Sequence, residues 1–176
     1  VLVPINPAIV DNTVPNAPTI GTVTSTTTTT LTFPINTTDT TTKGYRLRYK
    51  QTSQADSYYT TVLVSPLSAF SAGTSSTSYT ITGLAPGISY TINAAGYNQY
   101  NGVGAYSTSL VTSTTSSTSP GSPTLGTPTS QPYSFLLTWT APSVSGNQAA
   151  ISQYKVELYN SSNTLLFTDY TYSTNY

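Results

Sequence analysis

The stretch Ser78–Asn98, "SYTITGLAPGISYTINAAGYN", decides how the chain folds. Two short runs of alternating polar and apolar residues flank a Leu-x-Pro-Gly-x-x-Tyr corner, Leu84 to Tyr90. A period of two marks a strand with one face on a core. The Pro86-Gly87 pair between the runs is a turn signal that ends one strand and allows the next to begin. A tyrosine placed six residues after the leucine brings a ring and a hydroxyl to that corner. A buried phenol needs a partner for its OH, and an uncapped turn carbonyl is one. The stretch therefore reads as a sheet corner that carries stability and no chemistry.

Working outward, the same period continues and helical periodicity is hard to find. Strands are expected over Thr19–Thr24, Thr29–Ile35, Gly44–Gln51, Tyr59–Ser65, Ser78–Gly83, Ile88–Ala95 and Tyr106–Thr112, separated by Gly, Pro, Asn and Ser clusters. Seven short strands in about a hundred residues suggest an antiparallel sandwich. In Gly44–Gln51, Tyr45, Leu47 and Tyr49 share one face, while Arg46, Arg48 and Lys50 share the other. The cations are expected to form a solvated strand face rather than an anion site. Leu31, Phe33 and Ile35 repeat the inward pattern one strand earlier.

The chain is also self-similar. "APTIGTVTS" (Ala17–Ser25) recurs as "SPTLGTPTS" (Ser122–Ser130), "LTFPIN" (Leu31–Asn36) as "LTWTAP" (Leu137–Pro142), and "GYRLRYK" (Gly44–Lys50) as "QYKVELY" (Gln153–Tyr159). Trp139 takes the place of Phe33, and Tyr154, Val156 and Leu158 those of Tyr45, Leu47 and Tyr49. Four regions follow: an extended arm over 1–16 with Pro4, Pro7 and Pro15, a sandwich over 17–115, a Ser/Thr-rich linker over 116–122, and a partial sandwich over 123–176.

These residues resemble the fibronectin type III domain. The proline-led first strand, the B-strand aromatic (Phe33 or Trp139), the Tyr-x-Leu-x-Tyr C strand and the E–F corner "GLAPGISYTI" carry the resemblance, together with the F–G loop in "NAAGYNQYNGVGAYS". It implies an all-β fold of tandem immunoglobulin-like antiparallel sandwiches. It also implies that Tyr90 is the corner tyrosine, its ring in the core and its hydroxyl tied to the turn backbone, with Leu84 as the apolar pin before it. The expected core is Phe33, Tyr45, Leu47, Tyr49, Ile81, Leu84, Tyr90 and Ile92, with Trp139, Tyr154 and Val156 in the second unit. Two departures are Phe33 where the family usually has tryptophan, and a long connection from Thr52 to Thr77.

A third departure weighs more. The second unit shows strands A, B, C and a C′ candidate, Leu165–Thr171, and then the sequence stops. Strands E, F and G should supply about six inward apolar residues at roughly 1.5–3 kcal/mol each. Their loss, about 10 kcal/mol, is comparable to a domain's whole stability and leaves open strand edges. Residues 120–176 should therefore not be stable as a free monomer. Three readings stay open: a longer polypeptide with further repeats, completion in trans by a neighbour's strand, or a smaller fold of a different kind. For completion in trans, the arm "VLVPINPAIV" is a donor candidate because Val1, Val3 and Ile5 alternate.

Composition excludes several function classes. With five basic and five acidic residues, the chain lacks the clustered cations that nucleic acid or an anionic membrane surface requires. No apolar run reaches the roughly 18 residues of a membrane-spanning helix, so no membrane insertion is expected. The chain opens at Val1 without a signal-peptide pattern, and so reads as mature protein or as a fragment lacking its natural start. Histidine and cysteine are absent, which removes the usual general base, thiolate nucleophile and soft metal ligands, and leaves the redox compartment undecided. Asp11, Asp39, Asp56, Glu157 and Asp169 are scattered and do not space as a calcium loop. No cofactor and no enzymatic activity are expected.

What remains is surface. Ser and Thr make up roughly a third of the chain, far above ordinary globular usage. The F–G loop, Gly96–Tyr106, offers Tyr97, Tyr100 and Tyr106 among Asn and Gly, as antibody paratopes do, although an ordinary family loop reads the same way. Leu67 and Phe70 either fold back over the sandwich or contact another subunit. Asn36 and Asn160 head Asn-x-Ser/Thr triplets, the glycosylation pattern. The expectation is a non-catalytic structural or adhesive module of an extracellular assembly: a surface filament, a surface layer, or the outside of a virion. Its partners would be other protein subunits, either copies of itself or a surface or virion scaffold. The alternatives are a spacer or carbohydrate-directed accessory region of a secreted polysaccharide-degrading enzyme, and a receptor-like ectodomain. Fold analogy does not choose among them.

Overall fold

The computed structural model describes residues 13–64, 75–98, 100, 102–144 and 147–176. The chain divides into two compact units, Val1–Ser116 and Ser117–Tyr176.

The first unit is built on β3 (Leu31–Thr37) and β4 (Gly44–Gln51), the central strands of its two sheets. Along β3, Leu31, Phe33, Ile35 and Thr37 are buried while Thr32, Pro34 and Asn36 are half-buried. One flank of β3 pairs without interruption with β6 (Ser75–Ile81), from Leu31↔Ile81 to Thr37↔Ser75. The other flank meets the first strand, which is split. The expected Thr19–Thr24 strand is two pieces, β1 (Thr19–Ile20) and β2 (Ser25–Thr26). Pro34 explains the gap. Its carbonyl accepts the Gly21 N–H at 2.9 Å, so its backbone faces this side, and its ring leaves no donor to return. Gly21 tolerates the approach; a Cβ there would come within 2.7 Å of the Pro34 ring.

The second sheet runs β5 (Thr60–Val64), β4, β7 (Ser89–Tyr97), β8 (Val103–Tyr106), with β9 (Leu110–Ser113) also on β7. A single 3-10 turn, Asp56–Tyr58, precedes β5. The β4–β7 ladder is continuous from Gly44↔Tyr97 to Gln51↔Tyr90. The expected last strand, Tyr106–Thr112, is likewise two pieces. Between them Ser107 turns its hydroxyl inward, accepting the Ala94 N–H at 3.1 Å and donating to the Thr108 carbonyl at 2.9 Å.

Leu31, Phe33, Ile35, Tyr45, Leu47, Ile81, Leu84, Tyr90, Ile92 and Ala94 form one buried cluster between the sheets. Tyr49 is half-buried against it. At the corner the Tyr90 hydroxyl accepts the Ala85 N–H at 2.9 Å, so the tie to the turn runs to a backbone donor rather than to a carbonyl. Gly83 (φ 72°) and Gly87 (φ 67°) take left-handed conformations on either side of Leu84–Pro86. Thr114, buried, closes the same corner by donating to the Ala85 carbonyl at 2.6 Å and accepting the Ile88 N–H at 3.1 Å.

The second unit repeats the beginning of this plan with shorter pieces. β10 (Thr124–Leu125) pairs β13 (Trp139–Thr140), and β11 (Thr129–Ser130) pairs β12 (Phe135–Leu136). β14 (Tyr154–Tyr159) pairs β15 (Leu165–Thr171). Trp139 is buried, with the Tyr154 ring 5.4 Å away at 67°. Tyr154 and Val156 are half-buried and Leu158 is exposed.

The unit extends one element beyond the expected A, B, C and C′ strands. Leu137 and Tyr176 exchange backbone hydrogen bonds at 2.9 and 3.0 Å, Trp139 N–H donates to the Thr174 carbonyl at 3.0 Å, and Thr138 bridges Asn175 antiparallel. Under the internal repeat these are the pairings Leu31↔Ile81 and Thr32↔Thr80 of the first unit. Residues 174–176 thus occupy the place where β6 ends. The expected linker also holds a paired residue: Thr118 N–H donates to the Asn147 carbonyl, and its own carbonyl accepts the Ala149 N–H.

Candidate functional site

Three places in the two units depart from a plain scaffold. The first is the outer face of the five-stranded sheet. Arg48, opposite Asn93 in the ladder, lies between two rings, its guanidinium 3.9 Å from the Tyr106 centroid and 4.3 Å from that of Tyr59. Tyr59 is held by its hydroxyl on Asn93 Oδ1 (3.0 Å), and Asn93 Nδ2 donates to the Ser107 carbonyl and Ser109 Oγ. Lys50 donates to the Gln54 carbonyl (2.5 Å) and pairs with Asp56 (3.4 Å). The solvated cation face expected from alternation therefore reduces to Arg46, which is exposed. Arg48 and Lys50 are packed against aromatic and backbone partners instead. Tyr106, expected as a contact residue, is half-buried under Arg48.

The second place is the F–G loop and the segment lying against it. Buried Asn98 organises both, its Oδ1 accepting the Tyr100 and Gly102 N–H groups (3.0 and 2.9 Å) and its Nδ2 donating to the Thr13 carbonyl (2.8 Å). Pro15 is fully buried, and a Cβ at Gly104 would run into its carbonyl. At the far end of the segment, Asp39 accepts the Asn16 N–H (2.6 Å), the Thr41 N–H (2.9 Å) and the Thr41 hydroxyl (2.6 Å). Burial pushes the Asp39 carboxyl up, but the Thr41 hydroxyl and the two N–H donors together hold it below its ordinary value. Of the loop tyrosines, Tyr97 is half-buried, its ring filling the space where a Gly44 side chain would stand, and Tyr100 is exposed.

The third is a groove in the second unit. Leu125, Leu137, Trp139, Ile151, Tyr154 and Val156 are among the residues that line a cavity of about 610 Å³. The Trp139 Nε1–H is buried there without an acceptor among the described residues. A buried donor without a partner is costly.

Asn36 lies within β3, paired on both sides (Thr19 and Ser76) and half-buried. Asn160 is exposed in the turn after β14, with Oδ1 accepting the Ser162 and Thr164 N–H groups. Val1, Val3, Ile5, Leu67 and Phe70 lie outside the described residues. Among the described residues no three His, Cys, Asp or Glu side chains stand together as metal ligands, and no helix is long and apolar enough to cross a membrane.

Sequence reading missed Arg48, Asn93, Asn98, Asp39 and Thr114 as organisers. Only Asp39 carries a local signal, an Asp-x-Thr turn pattern.

A family model, the fibronectin type III domain, matches residues 14–114. Comparison with curated protein sequences gives no match. Among solved structures, the chain is similar to the chicken CNTN1 FN1–FN3 domains (19% identity over 58% of this chain and 32% of that one, TM-score 0.43). It is also similar to the fn3 domain of human contactin 1 (20% identity, 61% and 83%, TM-score 0.48) and to a structure described as a myokine (14%, 57% and 98%, TM-score 0.45). The match thus spans about a third of the chicken chain's length.

Proposed function

The chain belongs to the fibronectin type III domain family, and on that premise we propose that it works as a non-catalytic structural and adhesive module in an extracellular assembly, such as a surface filament or surface layer. Domains of this family commonly serve as adhesion or spacer modules and are typically non-catalytic. The observation that carries the reading is the set of large apolar side chains exposed on the second unit. Its groove and the exposed Leu125, Phe135, Leu136 and Phe167 leave apolar surface that another polypeptide can cover. Balanced, sparse charge supports close packing, since little self-repulsion opposes it. The partners are other protein subunits, foremost copies of the same chain.

Sedimentation of the purified chain over a concentration series tests this. Concentration-dependent association is expected. A species that stays at the 18.6 kDa monomer at high concentration overturns it.

A further inference from the structure

We propose that Asn160 is the acceptor of an N-linked glycan, and that Asn36, which heads the same kind of triplet, is closed to it by its place in β3. The proposal rests on the extracellular reading for the compartment in which such a transfer occurs, and on the turn alone for its chemistry.

Transfer to asparagine asks three things of the acceptor: a free side-chain nitrogen, a free hydroxyl two residues on, and a backbone that a transferase can enclose. The turn after β14 offers all three. Asn160, Ser161 and Ser162 are exposed. The Asn163 N–H donates to the Asn160 carbonyl (3.0 Å) and the Asn160 N–H to that of Thr164 (3.0 Å). The triplet therefore forms the tip of a hairpin, with Asn163 in a left-handed conformation (φ 60°). Asn160 Oδ1 accepts the Ser162 and Thr164 N–H groups (3.0 and 2.8 Å), which points Nδ2 away from the turn backbone. Neither Asn160 Nδ2 nor the Ser162 hydroxyl makes a hydrogen bond among the described residues. Exposure belongs to this position of the fold: the corresponding connection of the first unit, between β4 and β5, is exposed at Thr52, Ser53 and Asp56.

An amide nitrogen is a weak nucleophile, because its lone pair is shared with the carbonyl. The two N–H groups on Oδ1 stabilise the negative charge which that oxygen takes as an Nδ2 proton leaves. With a phosphate-activated sugar as co-reactant, Nδ2 forms a bond to the sugar's C1, the C1–O bond to phosphate breaks, and the phosphate leaves with the electron pair. The Nδ2 proton passes to a base of the transferase. Asn36 stands in the opposite situation. It is half-buried and paired on both flanks, with Thr19 and with Ser76. The next residue of its triplet, Thr37, is buried, and its hydroxyl oxygen accepts the Asp39 N–H at 3.1 Å. A transferase can enclose that triplet only by opening the β1–β3 and β3–β6 ladders.

The test uses the folded full chain, a soluble asparagine glucosyltransferase and UDP-glucose, with peptides of residues 32–42 and 156–166 as unfolded references. Intact mass and peptide mapping should place a single hexose on Asn160. Addition at Asn36 should be at least about tenfold slower, since its ladders must open first. Both peptides should be modified, so that the fold and not the triplet makes the difference. Asn160→Gln and Ser162→Ala should abolish the addition, Ser162→Thr should keep it, and Asn36→Gln should leave it unchanged. A folded chain that takes sugar at Asn36 as fast as at Asn160 overturns the proposal. So does an Asn160 left bare while the 156–166 peptide is modified. Neither result touches the contact function, which sedimentation decides; a chain that stays monomeric yet takes sugar at Asn160 loses the assembly and keeps the acceptor.

Discussion

The hydroxyl of Tyr90 accepts the Ala85 N–H at 2.9 Å, whereas the hydroxyl of Tyr45, on the strand beside it, is buried without a partner among the described residues. Two phenols in one core therefore stand in opposite energetic positions. One closes a corner; the other is a buried polar group left unpaired.

Removing each hydroxyl should change stability with opposite signs. Tyr90→Phe leaves the Ala85 N–H without its acceptor and is expected to cost about 1–3 kcal/mol. Tyr45→Phe keeps the packed ring and deletes the unpaired group, and should gain about 1 kcal/mol. Urea unfolding of both variants checks this, and a loss of stability in Tyr45→Phe contradicts it.

Alkaline stability follows from the same burial. Desolvation pushes the Tyr45 phenol up to about 12, against a model-compound value of 10.0. A group whose folded pKa is raised lends stability that is fully present below its unfolded pKa and lost as pH climbs through the folded value. The chain should therefore weaken between about pH 10 and pH 12. Tyr45→Phe should flatten that limb in a pH series of thermal midpoints.

Asp39 sets the acid limb. Its folded carboxyl is held below the ordinary value of 3.8, so its contribution is present above that pH and lost as pH falls through the lower folded value. Protonation weakens the acceptor for Asn16 and Thr41 N–H. Amide exchange at Asn16 should accelerate on acidification relative to the β4–β7 ladder, and Asp39→Asn should reproduce much of the effect at neutral pH. Unchanged Asn16 protection in that variant excludes the role.

Arg48→Ala should cost about 1–2 kcal/mol, because the guanidinium and its stem fill the space between Tyr59 and Tyr106. Arg48→Lys should recover only part of it, since an ammonium lacks the flat surface that stacks on both rings. Arg46→Ala, at an exposed position of the same strand, should be nearly silent. Equal losses at 46 and 48 would contradict this account.

The sandwich was legible in the sequence because period-two alternation is local: Leu31-Phe33-Ile35 and Tyr45-Leu47 announce their faces without reference to anything else. The breaks in the first and last strands were not. The gap opposite Pro34 depends on which sheet edge its backbone faces, and the Ser107 kink depends on Ala94, thirteen residues earlier. The paired stretch at 174–176, the counterpart of the end of β6, was too short to show a period. For the candidate surfaces, alternation put Arg46, Arg48 and Lys50 on one face. The rings that cover Arg48 come from β8 and from the approach to β5, pairings that spacing along the chain does not encode. Asn98 and Asp39 act on Thr13 and Asn16 across 85 and 23 residues, beyond the reach of any local motif.

The two anchors of the leading segment also determine how the module meets mechanical tension. A pull exerted upstream of Thr13 reaches the Asn98 and Asp39 hydrogen bonds and the socket of Pro15 before it reaches β1. Asn98 follows a strand of one sheet and Asp39 a strand of the other, so the load is shared between both layers and does not peel β1 from β3 pair by pair.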